Sequence, residues 1–246
     1  MKSISPNLNI MIKAAEKASK ILIRDFGEVE NLQVSVKGPS DFVSNADIKA
    51  EKIIIEELSK SRKKFSIISE EAGVIENFDK KNIWIIDPID GTNNFLHGVP
   101  HFAISIAHKF ENEIISGLVF DPIKNEIFYA EKNSGAYFNN QRIRVSKKKN
   151  IEDCLFATGR NKKIYEDLKT RETGSAALDL AYVASGRFDG YFQNNLNLWD
   201  IAAGIILVTE AGGKISNLDL SIIENIKITA ASNSINEKML KKLNKF

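Results

Sequence analysis

Four short apolar segments in the middle of the chain constrain the fold more than any other feature of the sequence. Turn-forming residues such as Asp121-Pro122 and Asn133-Ser134-Gly135 separate them, and the segments cover residues 102–108, 114–120, 126–130 and 135–138. Apolar segments of this length, bounded by Gly, Pro, Asn, Asp or Ser, are typical of strands joined by short connections. The sequence therefore predicts an antiparallel meander.

The segments around the meander indicate a layered α/β fold. Ahead of it, apolar periodicity predicts a helix over 8–26 that ends at Gly27, an extended piece at 34–39, and a second helix capped by Ser44 or Asn45. Behind it, extended and helical segments alternate at 155–158, 175–185, 190–192, 200–211, 213–216, 226–231 and from 236 onward. Alternation of this kind favours an α/β layer.

The composition narrows the class of protein. The chain has 246 residues, of which 43% are hydrophobic and 27% charged, and a net charge of only +2. That charge gives no global reason to expect nucleic acid or an anionic membrane as a partner. Cys154 is the only cysteine, and no apolar run approaches the ~20 residues of a membrane helix, so we expect a cytoplasmic protein.

Two predicted strands end abruptly in carboxylates. The apolar run 83–86 is followed by Asp87 and Asp90, with Pro88 between them and Gly91 after them. Proline stiffens this turn, and glycine allows close approach of the backbone to a ligand. Carboxylates presented in this way suit Mg²⁺, although the turn taken alone is equally explained as the polar end of a strand.

Four further acidic residues stand at the ends of predicted elements. Glu70 and Glu71 follow the apolar run 65–68, and one of the two is expected to face the same site as Asp87. Asp47 falls in the first turn of the second predicted helix, and Asp200 falls where a later helix would have its N-cap. Stabilisation of a helix end explains Asp47 and Asp200 locally.

Taken together, these acids indicate a metal site. Carboxylates that converge would repel one another unless cations lay among them. Two Mg²⁺ ions about 3.5–4 Å apart can polarise a phosphoryl group and activate a water. We find no side chain that resembles a covalent nucleophile with its own base, so direct attack by an activated water is the preferred chemistry.

The chain resembles the inositol monophosphatase family of Mg²⁺-dependent, lithium-sensitive phosphatases over nearly its whole length. One family signature is similar to residues 84–95, Trp-Ile-Ile-Asp-Pro-Ile-Asp-Gly-Thr-Asn-Asn-Phe, and a second to residues 199–213, Trp-Asp-Ile-Ala-Ala-Gly through Glu-Ala-Gly-Gly. The resemblance implies a five-layer αβαβα sandwich of the type shared with fructose-1,6-bisphosphatases, and a possible homodimer. The basic cluster at 147–149 marks a plausible boundary between an N-terminal lobe, 1–146, and a C-terminal lobe, 147–246.

The resemblance also implies roles for individual residues. Two or three Mg²⁺ ions would be bound by the side chains of Glu70, Asp87, Asp90 and Asp200 and by the carbonyl of Ile89. The catalytic residues would be Asp47 and Thr92, which orient and deprotonate the water, together with Glu70. The phosphate and the rest of the substrate would lie against Ile89, Asp90, Gly91, Thr92, Arg171, Gly174, Ser175, Ala176, Gln193 and Asp200.

The sequence constrains the identity of the substrate less than it constrains the type of reaction. Residues 93–97, 171–179 and 186–190 are similar to the bacterial inositol monophosphatase branch, which implies a myo-inositol monophosphate or a similar polyol phosphate. Gln193 stands where relatives usually have Glu, and the segment 159–170 is shorter than in relatives, so the far wall of the pocket is altered. Histidinol phosphate, fructose 1,6-bisphosphate and 3'-phosphoadenosine 5'-phosphate remain alternatives. A binding protein of the transcription machinery on the same scaffold is a further alternative. The intact acid set argues against a loss of activity and leaves a second role open.

Overall fold

The computed structural model describes residues 4–32, 39–159 and 168–243, with side chains described except at 30–32 and 39–44. The helices are α1 (Pro6–Leu32), α2 (Pro39–Arg62), α3 (Thr92–Leu96), α4 (Ala176–Ala184), α5 (Leu198–Glu210) and α6 (Asn233–Lys242). The strands are β1 (Phe65–Ser69), β2 (Gly73–Ile75), β3 (Asp79–Asp90), β4 (Ala103–Phe110), β5 (Glu113–Asp121), β6 (Glu126–Glu131), β7 (Gly135–Phe138), β8 (Gln141–Arg142), β9 (Phe156–Thr158), β10 (Thr170–Glu172), β11 (Gly190–Leu196), β12 (Gly213–Ile215) and β13 (Ile226–Ser232).

The strands form two sheets. The first sheet has the order β2-β1-β3-β4-β5-β6-β7-β8, and the second has the order β10-β9-β11-β13-β12. In the first sheet only β1 and β3 run parallel to each other, while β3 through β8 form one antiparallel series. The predicted meander is therefore confirmed, and it extends by one strand on each side of the four predicted segments.

Successive side chains of β3 point to opposite faces of the first sheet and enter two different cores. This alternation shows the order of the layers. Trp84 and Ile86 face α1 and α2 on one side of the first sheet, whereas Ile85 faces the core that holds α4 and α5. That core also receives Tyr191 from the second sheet. The opposite face of the second sheet packs Phe192 against α6. The result is the predicted five-layer αβαβα sandwich.

The two N-terminal helices are longer than the sequence predicts. Helix α1 passes through Gly27, because the apolar pattern continues to Val29, which is buried. Helix α2 begins at Pro39 rather than at Ser44 or Asn45. Proline is well suited to the first helical position, since its missing N–H would have no partner there. The predicted extended piece at 34–39 otherwise lies outside the described residues.

Helix α5 begins two residues before Asp200, so the predicted N-cap was misplaced. Asn197 is the N-cap, and Asp200 is the third residue of the helix, where its Oδ2 accepts a hydrogen bond from the Asn197 N–H at 2.7 Å. The acid therefore stabilises the helix start from inside the first turn, as the second half of a capping box. Among the helices of the described residues, none combines the length and the apolar character needed to cross a membrane.

Candidate active site

The parallel pairing of β1 with β3 brings the predicted acids to one edge of the first sheet. Asp87 and Asp90 lie at the carboxyl end of β3, and Glu70 begins the turn that follows β1. Helix α5 brings Asp200 to the same place, and carboxylate oxygens of Asp87, Asp90 and Asp200 lie within 4.8 Å of one another. Glu70 lies close enough to Asp87 and to Asp47 for its charge to raise the pKa of both. The structure thus collects all five predicted acids.

Asp90 is held by the start of helix α4. Its carboxylate accepts hydrogen bonds from the Ser175 hydroxyl, from the Ala176 N–H at 3.2 Å and from the Ala177 N–H at 2.9 Å. The two N–H donors belong to the first turn of the helix, where backbone N–H groups have no partner within the helix and a negative charge is favoured. Two residues predicted to face the substrate, Ser175 and Ala176, therefore also orient a predicted metal ligand.

Other oxygens of the acid cluster are buried without a hydrogen-bond partner. They are Oδ1 of Asp87, Oε2 of Glu70 and Oδ1 of Asp47. Buried polar atoms in proteins are nearly always paired, and carboxylate oxygens are the ligands that hard divalent cations prefer. The donor set and its unpaired oxygens fit a metal ion.

Burial raises the pKa of every acid in the cluster, and repulsion between the acids adds to this for Asp47, Glu70, Asp87 and Asp90. Burial is the largest cause in each case, and it raises the pKa of Asp47 to about 8, of Glu70 and Asp90 to about 7, and of Asp200 to about 6. The pKa of Asp87 lies well above its ordinary value, because burial is reinforced by the charges of the other four. Joint ionisation therefore requires a cation.

These shifts predict how stability depends on pH and on Mg²⁺. In the unfolded chain the acids have pKa values near 4, whereas burial in the cation-free folded protein raises the pKa of Asp200 to about 6, of Glu70 and Asp90 to about 7, and of Asp47 to about 8. The folded state therefore binds more protons across that window, and its stability falls as the pH rises. Mg²⁺ binds the ionised carboxylates, so the increase in Tm on adding Mg²⁺ in place of EDTA should be larger at pH 8 than at pH 5. Equal increases at both pH values would contradict the prediction.

The turn after Asp90 requires glycine. Gly91 has a φ of 100°, and a Cβ at this position would lie 3.1 Å from the His101 carbonyl oxygen and 3.3 Å from that of Gly174. The next residue, Thr92, begins α3, and its hydroxyl donates a hydrogen bond to the Ile89 carbonyl at 3.0 Å. The backbone here is thus closely packed against the segment that leads into α4.

Asn94 braces this turn against the second half of the chain. Its Nδ2 donates to the carbonyl of His101 at 2.7 Å and to the carbonyl of Thr173 at 2.8 Å. Gly174 lies so close that a Cβ there would be 2.9 Å from the same amide nitrogen. The brace sets the distance between the turn at Gly91 and the start of α4.

We expect Asn94→Asp to reduce kcat/KM on the order of 10²-fold, which is the usual loss for a misplacement of about 1 Å. The aspartate cannot donate to the two carbonyls and would place a negative charge against them. Asn94→Ala should reduce activity less, because it removes the donors without adding the charge. The matched control is Asn93→Asp, whose side chain is exposed. Similar kinetics for Asn93→Asp and Asn94→Asp would show that Asn94 is not a brace.

The predicted substrate-side residues fall into two groups. Gln193, on β11, accepts a hydrogen bond through Oε1 from the Tyr191 hydroxyl at 2.7 Å, and its side chain lies directly over Gly159. Tyr191 is buried, and its pKa is raised by burial and then by the charges of Asp179, Asp90 and Asp200, so the phenol is within electrostatic reach of the acid cluster. In contrast, Arg171 is exposed on β10, where it donates to the Thr170 carbonyl at 2.9 Å.

Sequence reasoning missed three residues that support the site. Asn94 and Tyr191 are described above, and the third is Glu51, a buried acid on α2. Glu51 follows Asp47 by four residues, so the two share one helical face. The predicted second helix already contained both residues, so the spacing was visible in the sequence, but the partners of Glu51 were not.

The fold has two sheets layered with helices, and five acids meet at an edge of the first sheet, three of them buried and two half-buried. These features define a metal-binding α/β protein. The model of the inositol monophosphatase family matches residues 4–245, and the chain belongs to this family. It is 44% identical to an inositol-1-monophosphatase of Mesorhizobium japonicum over 97% of this chain and 96% of that protein. It is 41% identical to a Nus factor SuhB of Haemophilus influenzae over 98% of this chain and 96% of that protein. The crystal structure of the extragenic suppressor protein suhB from Bartonella henselae matches with a TM-score of 0.89 and 46% identity, over 98% of this chain and 99% of that one.

Proposed function

We propose that this protein is a Mg²⁺-dependent phosphomonoesterase that hydrolyses myo-inositol monophosphates or similar polyol phosphates. The observation that carries the proposal is the convergence of Asp87, Asp90 and Asp200 within 4.8 Å, in a chain 44% identical to an inositol-1-monophosphatase. Glu70 and Asp47 adjoin that cluster. Such an acid set suits phosphate ester chemistry, because the substrate itself brings oxygens that share a divalent cation.

The metal ligands would be the side chains of Glu70, Asp87, Asp90 and Asp200 with the carbonyl of Ile89, for two or three ions. When bound, Mg²⁺ lowers the pKa of water and offsets charge on the phosphoryl oxygens. The protein contributes the orientation of its ligands: α4 fixes Asp90, and the Asn197 N–H fixes Asp200 at 2.7 Å.

Asp47 is the proposed acceptor of the proton from the attacking water. Burial is the largest cause that raises the pKa of Asp47, so its carboxylate, when ionised, is a stronger base than that of an exposed aspartate. Thr92 would orient the same water through its hydroxyl, which the Ile89 carbonyl holds in place. The water oxygen forms a bond to phosphorus, the ester P–O bond breaks, and the alcohol leaves with a proton from solvent. The backbone amides of Gly91 and Thr92 would hold the phosphate oxygens.

The polyol would lie beyond the phosphate, against Gly174, Ser175, Ala176 and Gln193, with Arg171 at the outer rim. The hydrogen bond from Tyr191 occupies Oε1 of Gln193, so the amide nitrogen is left to donate to a substrate hydroxyl. A glutamate at this position would only accept. We infer that this chain selects among polyol phosphates partly through that donor.

The test is a panel of phosphomonoesters assayed with Mg²⁺, with EDTA, and with Mg²⁺ plus Li⁺. The panel contains myo-inositol 1-phosphate, histidinol phosphate, fructose 1,6-bisphosphate and 3'-phosphoadenosine 5'-phosphate. We expect the highest kcat/KM for the inositol phosphate, loss of activity in EDTA, and inhibition by Li⁺. Absence of Mg²⁺-dependent hydrolysis across the panel would overturn the proposal, whereas a different preferred substrate would correct only the substrate class.

The similarity to a protein named Nus factor SuhB favours a second candidate, a binding role in transcription. The two roles are compatible, because a binding surface need not include the acid cluster. Recovery of transcription proteins with a tagged Asp87→Asn variant would support the second role independently of catalysis.

A homodimer stays a prediction that light scattering tests. The buried, free Cys154 supports a location in the reducing cytoplasm.

A further inference from the structure

Glu51 is a buried acid that fastens α2 to the turn carrying Glu70. Its side chain is only 4% exposed. Its Oε1 accepts a hydrogen bond from the Ser69 hydroxyl and a second from the Glu71 N–H at 3.0 Å. Both donors are immediate neighbours of Glu70 in the chain, one on each side.

The side chain of Glu70 depends on this support because it has few fixed contacts of its own. Its Oε2 is buried without a hydrogen-bond partner, and its backbone N–H makes only a long bond of 3.3 Å to the Ile86 carbonyl on β3. The turn is therefore fixed on one side by β3 and on the other by Glu51. Any freedom of the turn would move Glu70 relative to Asp87.

We propose that Glu51 is a positioning residue, which holds Glu70 in the geometry needed to bind a divalent cation by clamping the turn at residues 69–71 onto α2. The same clamp ties the turn to Asp47, which lies one helical turn before Glu51. The proton acceptor and a metal ligand are thereby held as one unit. This inference rests on the proposed function, because it assumes that Glu70 binds the cation.

Stability alone does not account for an acid at this position. The charge of Glu51 repels Asp47, Glu70 and Glu71 and raises the pKa of all three. A buried residue next to other acids would stabilise the fold better if it were neutral. The glutamate side chain is long enough to place one oxygen where it accepts hydrogen bonds from residues on both sides of Glu70.

The experiment measures Mg²⁺ binding by calorimetry for purified wild type, Glu51→Ala, Glu51→Gln, Ser69→Ala and the double variant Glu51→Ala/Ser69→Ala. Partners that orient metal ligands contribute about 10–100-fold to affinity, and we expect Glu51→Ala to weaken Mg²⁺ binding by about that factor. Glu51→Gln keeps an oxygen that can accept both bonds, so its affinity should stay within about threefold of wild type. The matched control is Glu57→Gln on the same helix, where Glu57 pairs with Lys17 and Lys60.

Ser69→Ala removes one of the two donors with little change in volume, so it tests the clamp even if Glu51→Ala fails to fold. We expect it to weaken Mg²⁺ binding less than Glu51→Ala, and the double variant to be no weaker than Glu51→Ala, since both changes break the same bond. The inference is overturned if folded Glu51→Ala binds Mg²⁺ as tightly as wild type. If Glu51→Ala does not fold, the same result for Ser69→Ala overturns it. A loss of Mg²⁺ affinity in Glu51→Gln as large as that in Glu51→Ala would also overturn it.

A reference variant, Glu70→Gln, separates failure of the inference from failure of the proposed function. If the wild type binds no Mg²⁺, or if Glu70→Gln binds it as tightly as wild type, then the proposed metal site is wrong. If Glu70→Gln weakens binding and Glu51→Ala does not, only the role of Glu51 is wrong. Thermal unfolding in EDTA supplies the fraction folded, so a loss of affinity is not confused with a loss of structure.

Discussion

The Asp87→Asn variant should lose nearly all phosphatase activity and, without metal, unfold at a higher temperature than the wild type. Asp87 stands at the centre of the acid cluster, with one oxygen buried and unpaired. Removing a direct ligand should reduce kcat/KM by more than the about 10–100-fold typical of a partner that only orients ligands. The measurement is steady-state kinetics at saturating Mg²⁺.

The substitution Asp87→Asn should lower activity but raise the stability of the metal-free protein, and the burial of Asp87 explains the gain in stability. The pKa of Asp87 is raised well above its ordinary value, so near neutral pH its ionised form destabilises the folded protein. A neutral amide removes that repulsion, and each kcal/mol gained raises Tm by about 2–4 °C in a protein of this size. In EDTA we expect a higher Tm for the variant, and on addition of Mg²⁺ a smaller increase than in the wild type. Asp153→Asn, at an exposed position, is the control for loss of an acid as such. A variant that stays active, or that is no more stable in EDTA, would contradict this account.

Asp47→Asn should lose activity while it retains Mg²⁺. Asp47 adjoins the cluster through Glu70, and we propose that it takes the proton of the water instead of binding the cation. Loss of a general base lowers kcat by about 10²–10⁴-fold. An asparagine cannot take the proton, so we expect a decrease of that size with Mg²⁺ affinity within a few-fold of wild type.

The comparison of the two variants separates proton transfer from metal binding. Calorimetry with Mg²⁺ should show binding by Asp47→Asn and little or none by Asp87→Asn. If Asp47→Asn binds Mg²⁺ as poorly as Asp87→Asn, then Asp47 is a ligand and the proton acceptor must be sought elsewhere. Retention of full kcat in Asp47→Asn would likewise exclude it as the base.

Local patterns in the sequence predicted most of the elements. The meander follows from apolar segments punctuated by residues such as Pro122 and Gly135, because strand formation and turn chemistry depend on near neighbours. The acids were found for the same reason: Asp87 and Glu70 each follow an apolar run near the end of a strand. The start of α2 was wrong because Pro39 is compatible both with a turn and with a first helical residue, and local pattern does not distinguish these.

What the sequence by itself determined is therefore the set of acids, the strands that deliver them and, through its resemblance, the family. Only the tertiary structure decided how the acids are held. Asp90 binds the start of α4, Asn94 reaches Thr173, and Glu51 clamps the turn at Ser69 and Glu71, across separations of 18 to 87 residues. These contacts depend on how layers pack, since helices and sheets far apart in the chain must meet before a donor and an acceptor can face each other. Periodicity shows which side of an element is buried, but not which residue of another layer lies opposite.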